Sequence, residues 1–134
     1  MITPQIKDAV LKFICDNYEL EGMKSEPFSH FNSVLSDISF TELNAILSQF
    51  QRMSLIEELN ARPIAIWLVL KIESHDFISR GGFTIQEELF QSTYNKLQLE
   101  VESLAKDFPQ KAERFTNILA NFATIGVALG VALK

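Results

Sequence analysis

The stretch Ser39–Phe83, SFTELNAILSQFQRMSLIEELNARPIAIWLVLKIESHDFISRGGF, decides the fold. It opens on Ser39-x-x-Glu42, a capping-box pattern in which each side chain bonds the backbone N–H at the other position. Apolar residues then follow at helical spacing and predict one buried face, formed by Leu43, Ile46, Leu47, Phe50 and Met53. The pattern therefore predicts an amphipathic helix that begins directly after Ser39.

Two strands are predicted after this helix. Leu55–Asn60 forms the first strand, and Asn60–Pro63 forms a turn because proline is excluded from a central strand. The second strand, Ile64–Ile72, is rich in β-branched and aromatic residues. Because it is almost continuously apolar, we expect both of its faces to be covered, with the C-terminal segment as the candidate cover. A short helix over Glu73–Arg80 then ends on a double glycine.

The N-terminal part of the chain predicts two more helices. Thr3 is a suitable N-cap and Pro4 a suitable first residue for a helix that ends at Asn17. The segment Met23–Ile38 predicts a second helix, which Pro27 could start.

The C-terminal part carries two heptad patterns separated by Pro109. Thr84-x-x-Glu87 resembles a capping box that opens the first helix, which is expected over about Ile85–Asp107. The expected seam residues are Phe90, Tyr94, Leu97, Val101, Leu104, Phe115, Ile118, Phe122, Ile125 and Leu129. Two heptad helices around a proline predict an antiparallel hairpin, and the alternative is one kinked helix that pairs with another chain.

Composition limits the classes of function. The chain has 134 residues, 47% hydrophobic content and a net charge of -5, and none of its segments is basic. Because nucleic-acid affinity depends on cations placed against phosphates, this charge does not favour a strong DNA binder. The single cysteine, Cys15, excludes an intramolecular disulfide, and no secretory signal pattern opens the chain. We therefore expect a cytoplasmic protein.

The order of these elements resembles a winged-helix domain of the small bacterial type. The resemblance is carried by the helix FTELNAILSQFQRM, the strands LIEEL and IAIWLVLKI, and the closing turn DFISRGGF. It implies a mostly helical α+β fold in which three helices and a two-stranded β-hairpin form a winged-helix domain over residues 1–82. Residues 83–134 would add a two-helix, coiled-coil-like extension that packs on the wing, forms a dimer, or does both.

The resemblance also implies a DNA-binding, transcription-regulatory function. Such a protein would read bases from its third helix and would contact phosphate from the flanking cations and the wing. The residues in these positions are Asn44, Ser48, Gln49, Gln51, Arg52, Arg62 and Lys71. Winged-helix regulators usually carry several more cations there, and acidic Glu42, Glu57 and Glu58 lie near the same surface.

Two alternatives stay open. The chain could be a protein-interaction module that has the fold without affinity for DNA, and the heptads favour a homodimer. It could also be a regulator anchored by its last helix, because Phe115–Leu133 is uncharged and contains the small-residue pattern Gly126-x-x-x-Gly130. The polar residues in the first half of this segment make a membrane contact the weaker of the two readings.

The sequence contains no catalytic or metal-ligating pattern. Cys15 lies among apolar residues, and His30 and His75 have no second ligand at the spacing a metal requires. Gly81-Gly82 lacks the pattern of a phosphate-binding loop. We therefore expect a non-enzymatic protein with no cofactor and no metal.

Overall fold

The computed structural model describes residues 2–128, which form a mostly helical α+β fold with one small antiparallel sheet. The chain divides into two compact units, residues 1–84 and 85–134. The elements in chain order are α1 (Pro4–Asn17), β1 (Met23–Glu26), α2 (Phe28–Val34), α3 (Phe40–Arg52), β2 (Ile56–Ala61), β3 (Ile66–Leu70), α4 (Ile72–Ser79), α5 (Gly82–Asp107), a 3₁₀ turn (Pro109–Lys111) and α6 (Ala112–Ala128).

The N-caps predicted at Thr3 and at Ser39 are both confirmed. The Thr3 hydroxyl accepts a hydrogen bond from the Ile6 N–H at 3.2 Å, and Pro4 opens α1. At α3, the Glu42 N–H donates to the Ser39 hydroxyl at 3.1 Å and the Ser39 N–H donates to the Glu42 carboxylate at 3.2 Å. Both caps satisfy backbone donors that a helix cannot pair internally.

The predicted second helix is confirmed over Phe28–Val34, directly after Pro27, but the strand that precedes it was not predicted. Met23–Glu26 forms strand β1, and only Phe28–Val34 is helical. Pro27 separates the two elements, with extended dihedral angles of -72° and 154°. The expected two-stranded hairpin is therefore a three-stranded antiparallel sheet with the order β1-β3-β2.

Strand β3 lies between the other two strands, but only one of its faces is buried. Ile66, Leu68 and Leu70 have no exposed surface, whereas Trp67 on the opposite face is 41% exposed. The expectation that both faces are covered is therefore wrong at Trp67. The apolar residues of β3 instead reflect its central position, where it pairs with β1 on one edge and β2 on the other.

The core of the first unit joins the sheet to α1, α2 and α3. Phe31 and Phe50 are its largest completely buried side chains. The phenol of Tyr18, just after α1, donates a hydrogen bond of 2.7 Å to the Ile66 carbonyl at the start of β3. Because buried polar groups need partners, this bond fixes the end of α1 against the sheet.

The double glycine does more than end α4. Gly81 and Gly82 have φ angles of 103° and 67°, which residues other than glycine rarely adopt. The carboxylate of Asp8 in α1 then accepts hydrogen bonds from the N–H groups of Phe83 and Thr84, at 2.6 and 3.1 Å. The predicted capping box at Thr84 is therefore wrong: α5 starts at Gly82, and Asp8 supplies its cap.

The second unit is built from α5 and α6, which fold back on each other. The rings of Phe90 and Phe122 stack with centroids 4.4 Å apart, although 32 positions separate them in the chain. A Cβ added to Gly126 would lie 2.7 Å from Cζ of Phe90, so glycine permits the close approach. The described residues of this unit therefore form a hairpin about the turn at Pro109–Lys111.

Candidate functional site

Two polar side chains of α3 have partners in the same segment of the chain. The Ser48 hydroxyl donates to the Asn44 carbonyl at 2.8 Å, and the Gln49 amide lies 3.8 Å from the sulfur of Met53. The Asn44 side chain is exposed at the surface. These side chains occupy the positions that the winged-helix resemblance assigns to base contacts, and binding of DNA by them stays a prediction.

Gln51 has a structural role. Strand β2 contains a bulge in which Glu58 and Leu59 together face Leu68 of β3, and Glu58 has a φ of 53°. The bulge leaves the Leu59 N–H outside the ladder. Gln51 Oε1 accepts a hydrogen bond from that N–H at 2.8 Å. This hydrogen bond connects the last turn of α3 to strand β2.

We expect Gln51→Ala to lower the free energy of unfolding by about 1 kcal/mol, because one exposed backbone hydrogen bond is lost. Asn44→Ala, on the same helix without a role in the sheet, is the matched control and should change stability by less than about 0.5 kcal/mol. Urea unfolding followed by the fluorescence of Trp67 measures both. Equal stability of the two variants would contradict the role assigned to Gln51.

Lys71, predicted to contact phosphate, is already paired with carboxylates. Its Nζ lies 3.0 Å from Glu21 and 3.9 Å from Glu57. The hydrogen bond to Glu21 raises the pKa of Lys71. A DNA phosphate would have to compete with these two carboxylates, so Lys71 contributes little positive potential to this surface.

Arg52 and Arg62 differ from Lys71. Both are exposed, and within residues 2–128 neither forms an ion pair. Arg52 ends α3, and Arg62 lies in the turn between β2 and β3. Of the predicted cations on α3 and the hairpin, these two are the ones available to an external ligand.

The turn between β2 and β3 is held by backbone hydrogen bonds. The N–H of Arg62 donates to the Ala65 carbonyl, and the N–H of Ala65 donates to the Arg62 carbonyl, both at 3.1 Å. Pro63 restricts the backbone at the first central position of the turn. Its carbonyl also accepts the N–H of Phe28 at 3.1 Å, which ties the turn to the start of α2.

The turn between β2 and β3 presents apolar side chains to solvent. Ile64 is 87% exposed, which is the highest value among the large exposed hydrophobic residues described, and Trp67 is 41% exposed. Together with their neighbours they line a shallow groove that contains one cation and no carboxylate. We call this surface the tip groove, and its lining residues are Asn60, Arg62, Pro63, Ile64, Ala65 and Trp67.

Of the residues that line the tip groove, the sequence predicts a binding role for Arg62 but for none of the apolar residues. Ile64 falls within the predicted second strand, where an isoleucine is expected to pack. The structure begins β3 at Ile66, so Ile64 belongs to the turn. A large apolar residue directly after Arg-Pro was the signal that could have identified this surface.

The predicted heptad residues separate into two groups. Val101 is buried, and Phe90, Tyr94, Leu97, Phe115 and Phe122 are partly buried. Leu104, Ile118 and Ile125 are instead 40%, 51% and 55% exposed. Leu129 lies outside the described residues. The seam within the hairpin therefore includes only part of the predicted set.

Within the described part of the chain, no cluster of His, Cys, Asp and Glu side chains has the arrangement needed to hold a metal ion. Cys15 is partly buried, and burial together with the nearby Asp16 raises its pKa to about 11. The thiolate is the nucleophilic form of cysteine. Cys15 is therefore unsuited to nucleophilic chemistry near neutral pH.

Cys15 should react with iodoacetamide at about pH 8 at least about tenfold more slowly in the folded protein than in urea. The raised pKa leaves a smaller thiolate fraction, and partial burial limits access. Mass spectrometry of timed samples measures the difference. Equal rates in the two conditions would mean that the helix does not protect this thiol.

Comparisons with protein-family models, curated proteins and solved structures find no match to this chain. None of the helices described within residues 2–128 combines the length and the apolar character required to cross a bilayer. The predicted uncharged segment Phe115–Leu133 extends beyond Ala128, so its end lies outside the described residues.

Proposed function

We propose that this chain is a non-enzymatic protein-interaction module with a winged-helix arrangement, which binds a partner protein through the tip groove. The observation that carries the proposal is the exposed apolar surface of Ile64 and Trp67 on a turn held by backbone hydrogen bonds. Exposed apolar patches often mark interaction sites, and a preformed turn loses little conformational entropy on binding.

The chemistry of the tip groove defines the kind of partner. Tryptophan and arginine are the residue types that most often dominate the binding energy of protein interfaces. Arg62 has no carboxylate beside it in the groove, so a partner carboxylate could pair with it. The partner segment that fits best presents an apolar side chain next to an acidic one.

Site-specific photocrosslinking in the source cells tests this proposal. A benzoylphenylalanine at position 64 should give a discrete adduct with one protein, whereas the same group at exposed Thr93 on α5 should not. The captured protein is then purified and titrated against the wild-type chain. Trp67→Ala and Arg62→Ala should each weaken its binding about tenfold or more. Unchanged affinity in both variants would disprove the role of the tip groove.

A second candidate, DNA binding, is favoured because Arg52 and Arg62 form no ion pair with any residue from 2 to 128. Fluorescence anisotropy with a random-sequence duplex at about 50 and 200 mM salt tests it, because phosphate contacts weaken as salt rises. Binding that falls with salt and is lost in the double variant Arg52→Ala, Arg62→Ala would support this candidate. No binding at the lower salt concentration would exclude it.

A further inference from the structure

Helix α6 has two apolar faces, and the hairpin uses only one of them. The buried or partly buried residues of α6 that follow the hairpin seam are Phe115, Leu119, Phe122 and Gly126. Ile118 and Ile125 are about half exposed. Each residue turns an α-helix by about 100°. Ile118 and Ile125 each precede a seam residue by one position, so they lie about a quarter-turn from the seam. We call this second face the outer face of α6.

The outer face is not an ordinary solvated helix surface. Residues 115–127 contain no Asp, Glu, Lys or Arg, although most of their side chains are exposed. By contrast, the exposed side of α5 carries many charges, including Glu88, Lys96, Glu100 and Glu102. Depletion of charged residues is a feature of the buried centre of protein interfaces.

From these observations we infer that the outer face of α6 packs against α6 of a second copy of the chain, so that two hairpins form a four-helix bundle. In such a bundle each helix contacts two neighbours in directions about a quarter-turn apart. This is the angle between the seam and the outer face. A partner that is itself a hairpin satisfies this geometry, and a second copy supplies one.

The uncharged character of the outer face also fits a symmetric partner. At a two-fold axis a surface meets its own copy, so any charge near the axis would face a like charge. An antiparallel pairing centred beside Asn121 places Ile118 of each copy against Ile125 of the other. Asn121, which is exposed in the single chain, would then meet its counterpart near the axis. Asparagine at one interface position is known to fix the register of paired helices.

The face of one hairpin approaches the area that a stable dimer buries. The 17 residues of α6 extend over about 25 Å. With a diameter of about 10 Å, α6 alone gives a face of about 250 Å² in projection, and α5, which lies beside α5 of the other copy in the bundle, gives about as much again. Because side chains make the surface uneven, the accessible area exceeds the projected area and comes closer to the roughly 800 Å² per partner that is usual in stable complexes.

Sedimentation equilibrium of the full chain provides the first test. The wild-type protein should behave as a dimer, with twice the chain mass of 15.2 kDa. The double variant Ile118→Asp, Ile125→Asp should raise the dimer dissociation constant about a hundredfold or more. Leu99→Asp is the matched control, because Leu99 is a 67% exposed leucine on α5 outside the outer face. Circular dichroism confirms that each variant keeps its helices.

Pairing of two different variants tests the register. Ile118→Lys and Ile125→Glu should each weaken the homodimer, and their mixture should form a heterodimer in which the new lysine meets the new glutamate. Asn121→Cys should form an intermolecular disulfide under mild oxidation, whereas the wild type, with only Cys15, should not.

Several outcomes would overturn the inference. These are a wild-type monomer at tens of micromolar, equal dimerisation in the aspartate and Leu99→Asp variants, and a monomer that associates only with phosphatidylglycerol vesicles. The first would mean that the outer face stays exposed in a single chain, and the last would identify a lipid surface as its occupant.

Discussion

Gly82→Ala should lower the free energy of unfolding of the first unit by about 3 kcal/mol. Part of this loss is backbone strain, because alanine at a φ of 67° costs about 1 kcal/mol or more. The larger part comes from Asp8. An alanine Cβ would lie 2.9 Å from Cγ of this carboxylate and closer still to Oδ1. The carboxylate would have to move and would lose its hydrogen bonds to the start of α5.

A double-mutant cycle separates the two contributions. Asp8→Ala removes the cap by itself and should cost about 1–2 kcal/mol. In that background the overlap is absent, so Gly82→Ala should cost only the backbone term of about 1 kcal/mol. Urea unfolding followed by Trp67 fluorescence reports on this unit, because Trp67 is the only tryptophan. An equal cost of Gly82→Ala in both backgrounds would contradict the assigned overlap with Asp8.

Gly22→Ala is the matched control for this experiment. A Cβ at Gly22 would meet Glu19 at 3.7 Å, which is an ordinary van der Waals distance. The substitution should therefore be neutral, or slightly stabilising through the reduced freedom of the unfolded chain. A large loss at both glycines would point to a general effect of added side chains rather than to the Asp8 contact.

The features that the sequence predicted correctly are local. The cap of α3 depends on Ser39 and Glu42, which are three residues apart, and the buried face of that helix follows from its spacing. Strand β1 depends on pairs with β3 that lie 40 to 46 positions away, such as Met23 with Val69. The short polar segment MKSE has no periodicity of its own that would indicate a strand. The sequence therefore did not predict this strand, although it did predict the helix that follows Pro27.

The cap of α5 also depends on a residue that is distant in the chain, which a local sequence pattern does not show. Thr84 and Glu87 match the local pattern of a capping box, but Asp8 acts from 75 positions earlier. Sequence spacing identifies a local cap and cannot reveal one that is supplied by another helix. The side chain of Thr84 still takes part, since its hydroxyl donates to Asp8 at 2.6 Å.

The heptads of α6 were ambiguous for a different reason. Spacings of three and four fit both the predicted set with Ile118 and Ile125 and the set with Leu119 and Gly126. Hydrophobicity favours the first set because glycine contributes no apolar signal. The structure places Gly126 in the seam because the ring of Phe90 needs the space that a side chain would fill. The exposure of Ile64 in the tip groove could not be predicted either, because it depends on the residue at which β3 begins.

Phe50→Ala should destabilise the first unit by about 4 kcal/mol, the largest effect that we expect from a single substitution here. Phe50 has no exposed surface, and its ring stacks on Phe83 at 5.5 Å with an angle of 17° between the planes. The truncation would leave a cavity and would also remove the aromatic partner of the residue that follows Gly82. Phe50→Leu, which retains most of the volume, should cost about 1 kcal/mol.

The same variant tests whether α3 and the start of α5 belong to one cooperative unit. Phe83 also contacts Phe77 of α4, with ring centroids 4.7 Å apart, so the loss at Phe50 should propagate to the double-glycine turn. Hydrogen exchange at the Phe83 and Thr84 amides should therefore accelerate in Phe50→Ala along with that of the α3 amides. Phe108→Ala, at a 45% exposed position, should leave both unchanged. If α3 amides accelerate while those at positions 83 and 84 stay protected, the stack of Phe50 on Phe83 does not couple the two elements, and the Asp8 cap and the Phe77 contact maintain the turn without it.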